Sequence, residues 1–152
     1  MGNFDLYRLA QYYDIAFDRD VRGEVDFITE VCRKFAGQPP RSVLDIACGP
    51  GYHAREFARR GVRATGLDLR PEMLRLAQEK AVAEYLTVDW IQADMRDFTL
   101  AQPVDAAMSL FDSHDALLTN AEMVRHFQSV ARNLTPRGIF VLATSHPYEV
   151  NF

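Results

Sequence analysis

The sequence predicts a doubly wound α/β fold: a mostly parallel sheet of about five strands with helices on both faces. Three observations carry this reading. Apolar runs of strand length alternate with stretches of helical spacing from Arg41 onward. Each run is nearly continuously apolar, as in strands covered on both sides. Turns bearing Gly or Pro separate the two kinds of segment. At 152 residues, 48% of them hydrophobic, the chain can bury one sizeable core. The length predicts one domain over 1–152, with N-terminal helices over 1–37 and the wound core over 41–152.

The helices come first. Val21, Val25, Ile28, Cys32 and Phe35 recur at steps of four, three, four and three, which places one apolar stripe on a helix over about 20–36. The aromatic stretch 4–17 is read as helical as well, with a less regular pattern. "GQPPR" (37–41) ends the second helix, and "SVLDIA" (42–47) is the first strand. After Gly49-Pro50-Gly51, "YHAREFARR" (52–60) reads as a helix that buries Ala54, Phe57 and Ala58 and turns Arg55, Arg59 and Arg60 to solvent. "RATGLDL" (63–69) is the second strand. The next helix opens on Pro71, a residue suited to a first helical turn, with Met73, Leu74, Ala77 and Ala81 inward. "LTVDWIQAD" (86–94) and "VDAAMSLF" (104–111) are the third and fourth strands. "TNAE" (119–122) spells a capping box, in which the Thr hydroxyl takes an orphan amide while Glu reaches back. The helix it opens has Met123, Phe127, Val130, Ala131 and Leu134 on its inner face and His126 on its solvated one. "PRG" then turns into a fifth strand, "IFVLATS" (139–145).

Right-handed crossovers bring the carboxyl ends of such strands to one rim, and ligands bind there, where the strand order reverses. The turn 49–52, Asp68, Asp94 and the segment 111–115 fall on that rim. Gly49-Pro50-Gly51 followed by Ala54 is a relaxed G-x-G-x-x-A, a turn that lets a ligand approach the backbone at a helix N-terminus. Asp68, 17 residues after Gly51, stands where a ribose diol is hydrogen-bonded. Asp94 suits an adenine amino group. Asp45, stranded inside the first apolar run, discriminates between ligands. Beside a pyrophosphate it meets like charge, whereas beside an amino group and a sulfonium centre it becomes an electrostatic partner. An Asp that only pins the loop through backbone amides is the other reading.

Taken together, these motifs resemble those of class I S-adenosylmethionine-dependent methyltransferases, in the family's order, over roughly residues 12–147. "VLDIACGPG" is similar to the first motif of the family, "GLDLRPEML" to the ribose-binding one, "IQADMRDF" to the adenine one, "DAAMSLFDSHDALLT" to the strand and active-site loop that follow, and "LTPRGIFVLATSHP" to the fifth strand. The resemblance implies a Rossmann-like methyltransferase fold, S-adenosylmethionine as cofactor, and methyl transfer by in-line displacement, which asks mainly for proximity and alignment. It places Ala47, Gly49 and Gly51 against the methionyl part, Asp45 near its charged groups, and Asp68 on the ribose hydroxyls. Leu69 and Met95 sandwich adenine, Asp94 takes its amino group, Met73 joins the cofactor-binding set, and Phe111 closes the site beside the sulfur. "YYDIAF" (12–17) is similar to the segment that folds over the cofactor in many members, so Tyr12 or Tyr13, with Tyr13 preferred, reaches the carboxylate. A general base is needed only for an acceptor that must lose a proton. His114 is the candidate, with Asp112 and Asp115 beside it, and His146 adjoins the same region.

Family members continue after the fifth strand with a helix and an antiparallel hairpin, and this sequence stops at Phe152. The resemblance therefore implies a fragment or minimal form, or a homo-oligomer whose second chain covers the open sheet edge. A formal charge of −4, cations that are almost all arginine and the absence of any like-charge block predict no nucleic-acid partner. The Pro-Pro-aromatic and Pro-Cys signatures of nucleic-acid methylases are missing too, which leaves a small-molecule acceptor ahead of a protein side chain. Cys32 and Cys48 lack metal-ligand spacing, and no signal core or run of about 18 apolar residues occurs. Those features predict no metal, no membrane and a cytoplasmic setting with reduced thiols. Two further readings stay open: a nicotinamide-dependent reductase, which lacks its Tyr-x-x-x-Lys pair here, and a non-catalytic cofactor-binding module completed by a partner chain.

Overall fold

The computed structural model describes residues 9–145. Helices α1 (Ala10–Phe17) and α2 (Arg22–Ala36) precede β1 (Ser42–Ile46), α3 (Tyr52–Arg59), β2 (Arg63–Asp68), α4 (Pro71–Ala83) and β3 (Asp89–Gln92). Then come β4 (Val104–Ser109), a 3-10 turn (Ser113–Ala116), α5 (Asn120–Arg132) and β5 (Leu134–Leu142). The five strands are all parallel in the order β3-β2-β1-β4-β5, as the wound pattern requires. Among the described residues no helix is long and apolar enough to cross a membrane.

Alternation along the strands divides the core between the two faces of the sheet. Val43 and Ala64 join Ala106 and Met108 under Val25, Ile28 and Cys32 of α2 and Ala54 and Phe57 of α3. Leu44, Ile46, Leu67 and Ala107 pack on the other face with Phe98 and with Val130 of α5. Asp45 follows Val43 by two residues and so faces the α3 side. Local chemistry sets the element ends: Gly37 closes α2 in the left-handed region at φ 83°, and Pro71 opens α4. Thr119 and Glu122 form both bonds of the capping box at α5.

Several sequence expectations shift, and Phe35, placed on the apolar stripe of α2, is exposed. The Pro136-Arg137-Gly138 stretch, read as a turn, lies inside β5: pairing runs Val104↔Leu134 and resumes at Ala106↔Ile139 across a bulge. An edge strand tolerates a proline and a bulge, so the strand starts earlier and ends earlier than the apolar run suggests. Arg55, expected on a solvated face, is 7% exposed, because its guanidinium reaches across to Glu84 at the end of α4. His126 is fully buried, while Phe127 and Ala131, expected inside, are exposed. α5 covers the loop after β3, whose carbonyl groups call for donors, and its inner face is polar for that reason.

Candidate active site

The sheet reverses its order between β1 and β4, and the chain is strained at the exits of those two strands. Among the described residues Ala47, Phe111, Asp112 and Tyr85 are the non-glycine residues with positive φ, at 56°, 57°, 53° and 57°. The first three leave β1 or β4, and each such conformation costs about 1 kcal/mol. Backbone held against its preference at two adjacent strand ends marks the rim as a built feature.

Asp68 knots this rim. Its Oδ2 accepts the Gly49 amide at 2.8 Å and its Oδ1 the Arg70 amide at 2.8 Å, while the Cys48 amide donates to the Leu67 carbonyl at 2.9 Å. Burial pushes the Asp68 pKa up, against the pull of these amides. The two glycines do different work. Gly49, at φ 53°, turns its missing Cβ toward the Tyr13 ring 3.9 Å away, so its backbone forms cleft wall. A Cβ on Gly51, at φ 73°, would stand 2.4 Å from Cη2 of Trp90, so this glycine lets the turn press on the edge strand.

Asp45 is 3% exposed. The Ala54 amide, in the first turn of α3, favours its charged form, and Oδ2 is left buried without a partner. Burial pushes its pKa up to about 6, with Asp68 adding to the rise and His53 and the Ala54 amide opposing it. His53 is itself 4% exposed, and its Nε2 lies 3.0 Å from Glu24 of α2. Glu24 also pairs with Arg19 at 2.6 Å, and the Arg19 guanidinium covers the Phe111 ring at 3.8 Å from its centroid.

Two adjoining cavities open on this frame. One of about 280 Å³ is lined by Asp68, Leu69, Met73, Asp94, Met95 and Leu117 among others, near the lower end of small-molecule sites. The other, about 40 Å³, is lined by Asp45, Cys48, Tyr52, His53 and Phe111 among others. Tyr13, Ala47 and Gly49 line both. The structure thus gathers all the sequence-predicted cofactor residues except Gly51, which packs behind the turn. Tyr13 arrives on α1, which is pinned across the cleft: Asp14 Oδ1 accepts from the Tyr52 hydroxyl at 2.9 Å, and Oδ2 pairs with Lys80 of α4 at 2.6 Å. Burial and the neighbouring Asp14 raise the Tyr52 pKa.

Asp94 is gripped by Arg96, whose amide donates to Oδ1 at 2.8 Å, its Nε at 3.0 Å, and whose Nη2 meets Oδ2 at 2.5 Å. These bonds lower the Asp94 pKa, and Arg96 Nη1 continues to Glu122 Oε1 at 2.5 Å. Sequence reading missed Arg96, although its spacing of two from an exposed-end Asp is the signature of a local Asx-type clasp. On the active-site loop, Ser113, Ala116 and Leu117 face the larger cavity. His114 Nε2 is 3.5 Å from Asp115 Oδ1, and its Nδ1 is buried without a partner. Asp112 accepts the Ser145 amide at 2.6 Å and the Ser145 hydroxyl, which holds its pKa down and ties the exit of β4 to that of β5. His146 lies outside the described residues.

A doubly wound sheet with a glycine turn, an acid closing the second strand and a strained switch point defines a Rossmann-like α/β protein with a candidate ligand site at its rim. Residues 43–138 match the family described as Methyltransferase domain, and the chain belongs to that family. It is 32% identical over 136 residues to dTDP-3-amino-3,4,6-trideoxy-alpha-D-glucopyranose N,N-dimethyltransferase of Streptomyces venezuelae, covering 88% of this chain and 55% of that protein. The structure superposes on Streptomyces venezuelae DesVI with a TM-score of 0.80 at 27% identity, covering 99% of this chain and 62% of that one. It superposes on S-adenosylmethionine-bound CalS10, an amino pentose methyltransferase of Micromonospora echinaspora, with a TM-score of 0.76 at 30% identity, covering 97% and 60%. The chain spans about half the length of the curated relatives it matches.

Proposed function

We propose that this chain binds S-adenosylmethionine in the two joined cavities and is the cofactor-binding part of an enzyme that methylates a small molecule. The observation that carries the reading is Asp45: a buried carboxylate with one unpaired oxygen, on a cavity that shares the Tyr13, Ala47 and Gly49 wall with the one lined by Asp68. A cationic ligand suits such a site, and a pyrophosphate does not. In this reading Asp45 faces the charged groups of the methionyl part, and Ala47 and Gly49 supply backbone for close approach. Gly51 shapes the turn from behind. Asp68 takes the ribose hydroxyls on lone pairs its two amides leave open. Asp94, oriented by Arg96, takes the adenine amino group, while Leu69, Met73 and Met95 provide apolar walls. Tyr13 covers the carboxylate end, and Phe111 under Arg19 closes the site.

When bound, S-adenosylmethionine supplies a methyl group already activated by its sulfonium. The protein's contribution is alignment and exclusion of water. For acceptors that must shed a proton the candidate base is His114 on the loop 111–115, which lines neither cavity but adjoins Ser113 and Ala116 of the larger one; Asp112 acts there by anchoring that loop through Ser145. The acidic composition and the amino-sugar acceptors named for relatives support a small acceptor and no nucleic acid. β5 has no strand on its outer edge among the described residues, which supports a second copy or further chain there. Asp68→Ala tests the assignment. Affinity for S-adenosylmethionine falls at least about 100-fold with an unchanged far-UV circular dichroism spectrum, since two charge-assisted contacts are lost. Unchanged affinity removes Asp68 from the ribose.

A further inference from the structure

The helix that overturns its sequence reading also explains how one wall of the larger cavity is held. Residues 93–96 line that cavity, yet beyond β3 the segment that carries them has only an Asp94–Asp97 bridge as ladder structure. Its carbonyl groups go to α5 and the residue that follows it. His126 Nδ1 meets the Met95 carbonyl at 2.9 Å, Ser129 Oγ donates to the Arg96 carbonyl at 3.1 Å, and Asn133 Nδ2 donates to the Phe98 carbonyl at 3.0 Å. Asn133 Oδ1 in turn accepts the Leu100 amide at 2.7 Å. Facing a carbonyl, the His126 ring must donate from Nδ1. The three residues sit three and four apart, on one face of the helix, and His126 and Ser129 are wholly buried, Asn133 nearly so.

An apolar face would pack there at lower desolvation cost, so a row of buried donors matched one by one to loop carbonyls has to be accounted for. α5 lines neither cavity. We infer that His126, supported by Ser129 and Asn133, is a positioning residue for ligand binding: it fixes the Met95 peptide and with it the wall on which Asp94 and Met95 meet the nucleoside base. The inference rests on the S-adenosylmethionine reading for its ligand and on the hydrogen bonds for its mechanism. The same helix also ties this wall to the loop before it, since Glu122 Oε2 accepts the Leu118 and Thr119 amides while Oε1 holds Arg96.

The test pairs His126→Phe, which keeps volume and loses the donor, with His126→Asn, whose side-chain amide replaces Nδ1. Hydrogen exchange at the Arg96, Asp97 and Leu100 amides is measured without ligand, and affinity for S-adenosylhomocysteine by calorimetry. His126→Phe is expected to speed exchange at those three amides at least about tenfold while amides of β1 and β4 hold, and to weaken binding about tenfold, a step of 1.4 kcal/mol. His126→Asn restores both to within about threefold. Unchanged exchange in His126→Phe overturns the inference, as does failure of His126→Asn to restore it. If His126→Phe does not fold, Ser129→Ala is read in the same way, and unchanged exchange there counts against the inference equally. Wild-type protein that binds no S-adenosylhomocysteine contradicts the functional reading instead, and the exchange experiment still decides the positioning role.

Discussion

Asp45 sets the cost of a buried carboxylate against the binding role proposed for it. Its ionised form is disfavoured by burial, so its folded pKa, about 6, lies above the ordinary carboxylate value. Such a group adds stability that is full below the unfolded value and is lost as pH rises through about 6. Asp45→Asn therefore stabilises the ligand-free protein by about 2 to 3 kcal/mol at pH 8, with the gain vanishing below about pH 4, as measured by urea unfolding across pH. The same variant weakens S-adenosylmethionine binding. A destabilising effect at pH 8 contradicts the burial argument. Gly51→Ala places a methyl group on Trp90 and strains a left-handed residue, so it costs about 3 kcal/mol and shifts Trp90 fluorescence. Asp45 was legible in the sequence because an acid inside an apolar run is conspicuous. What the sequence could not give is the state of the carboxylate, which is buried with Oδ2 unpartnered beside the smaller cavity. His126 was not legible, since periodicity registers apolar positions and its partner is a backbone carbonyl 31 residues away.

At the scale of elements, the strands and most helices were readable because each is delimited by its own chemistry: Gly37 after α2, Pro71 at α4, Thr119 and Glu122 at α5. The failures have a common physical source, partners distant in sequence. β5 absorbs Pro136 because it pairs on one side only, and α5 turns polar residues inward because it faces a loop. Helix α1 gives a further prediction. It is only eight residues long, and its hold on the cleft described above runs through Asp14 to Tyr52 and Lys80. Asp14→Ala frees that latch, so S-adenosylhomocysteine dissociates about tenfold faster in stopped-flow measurements while association changes little. An unchanged dissociation rate removes α1 from the closure of the site.

For the whole molecule, the sheet order places the ends of β1, β2, β3 and β4 on one rim, and the two cavities follow from that order combined with the glycine turn. Family membership rests on this arrangement and on the match over residues 43–138. The rim was the most legible part of the site, because Asp68 ends β2 and Asp94 follows β3 by two residues. The tie of Arg96 to Glu122 and the chain of contacts from His53 through Glu24 and Arg19 to Phe111 were not, since they join segments that only the fold brings together. In the function proposed above, this frame binds a nucleoside that carries an amino acid on its sulfur. Calorimetric titration of the purified chain with S-adenosylmethionine, S-adenosylhomocysteine and NADH is the decisive test of that binding. Saturable one-to-one binding of the first two and none of NADH is expected. Binding of NADH alone, or of none of the three by a folded chain, contradicts it.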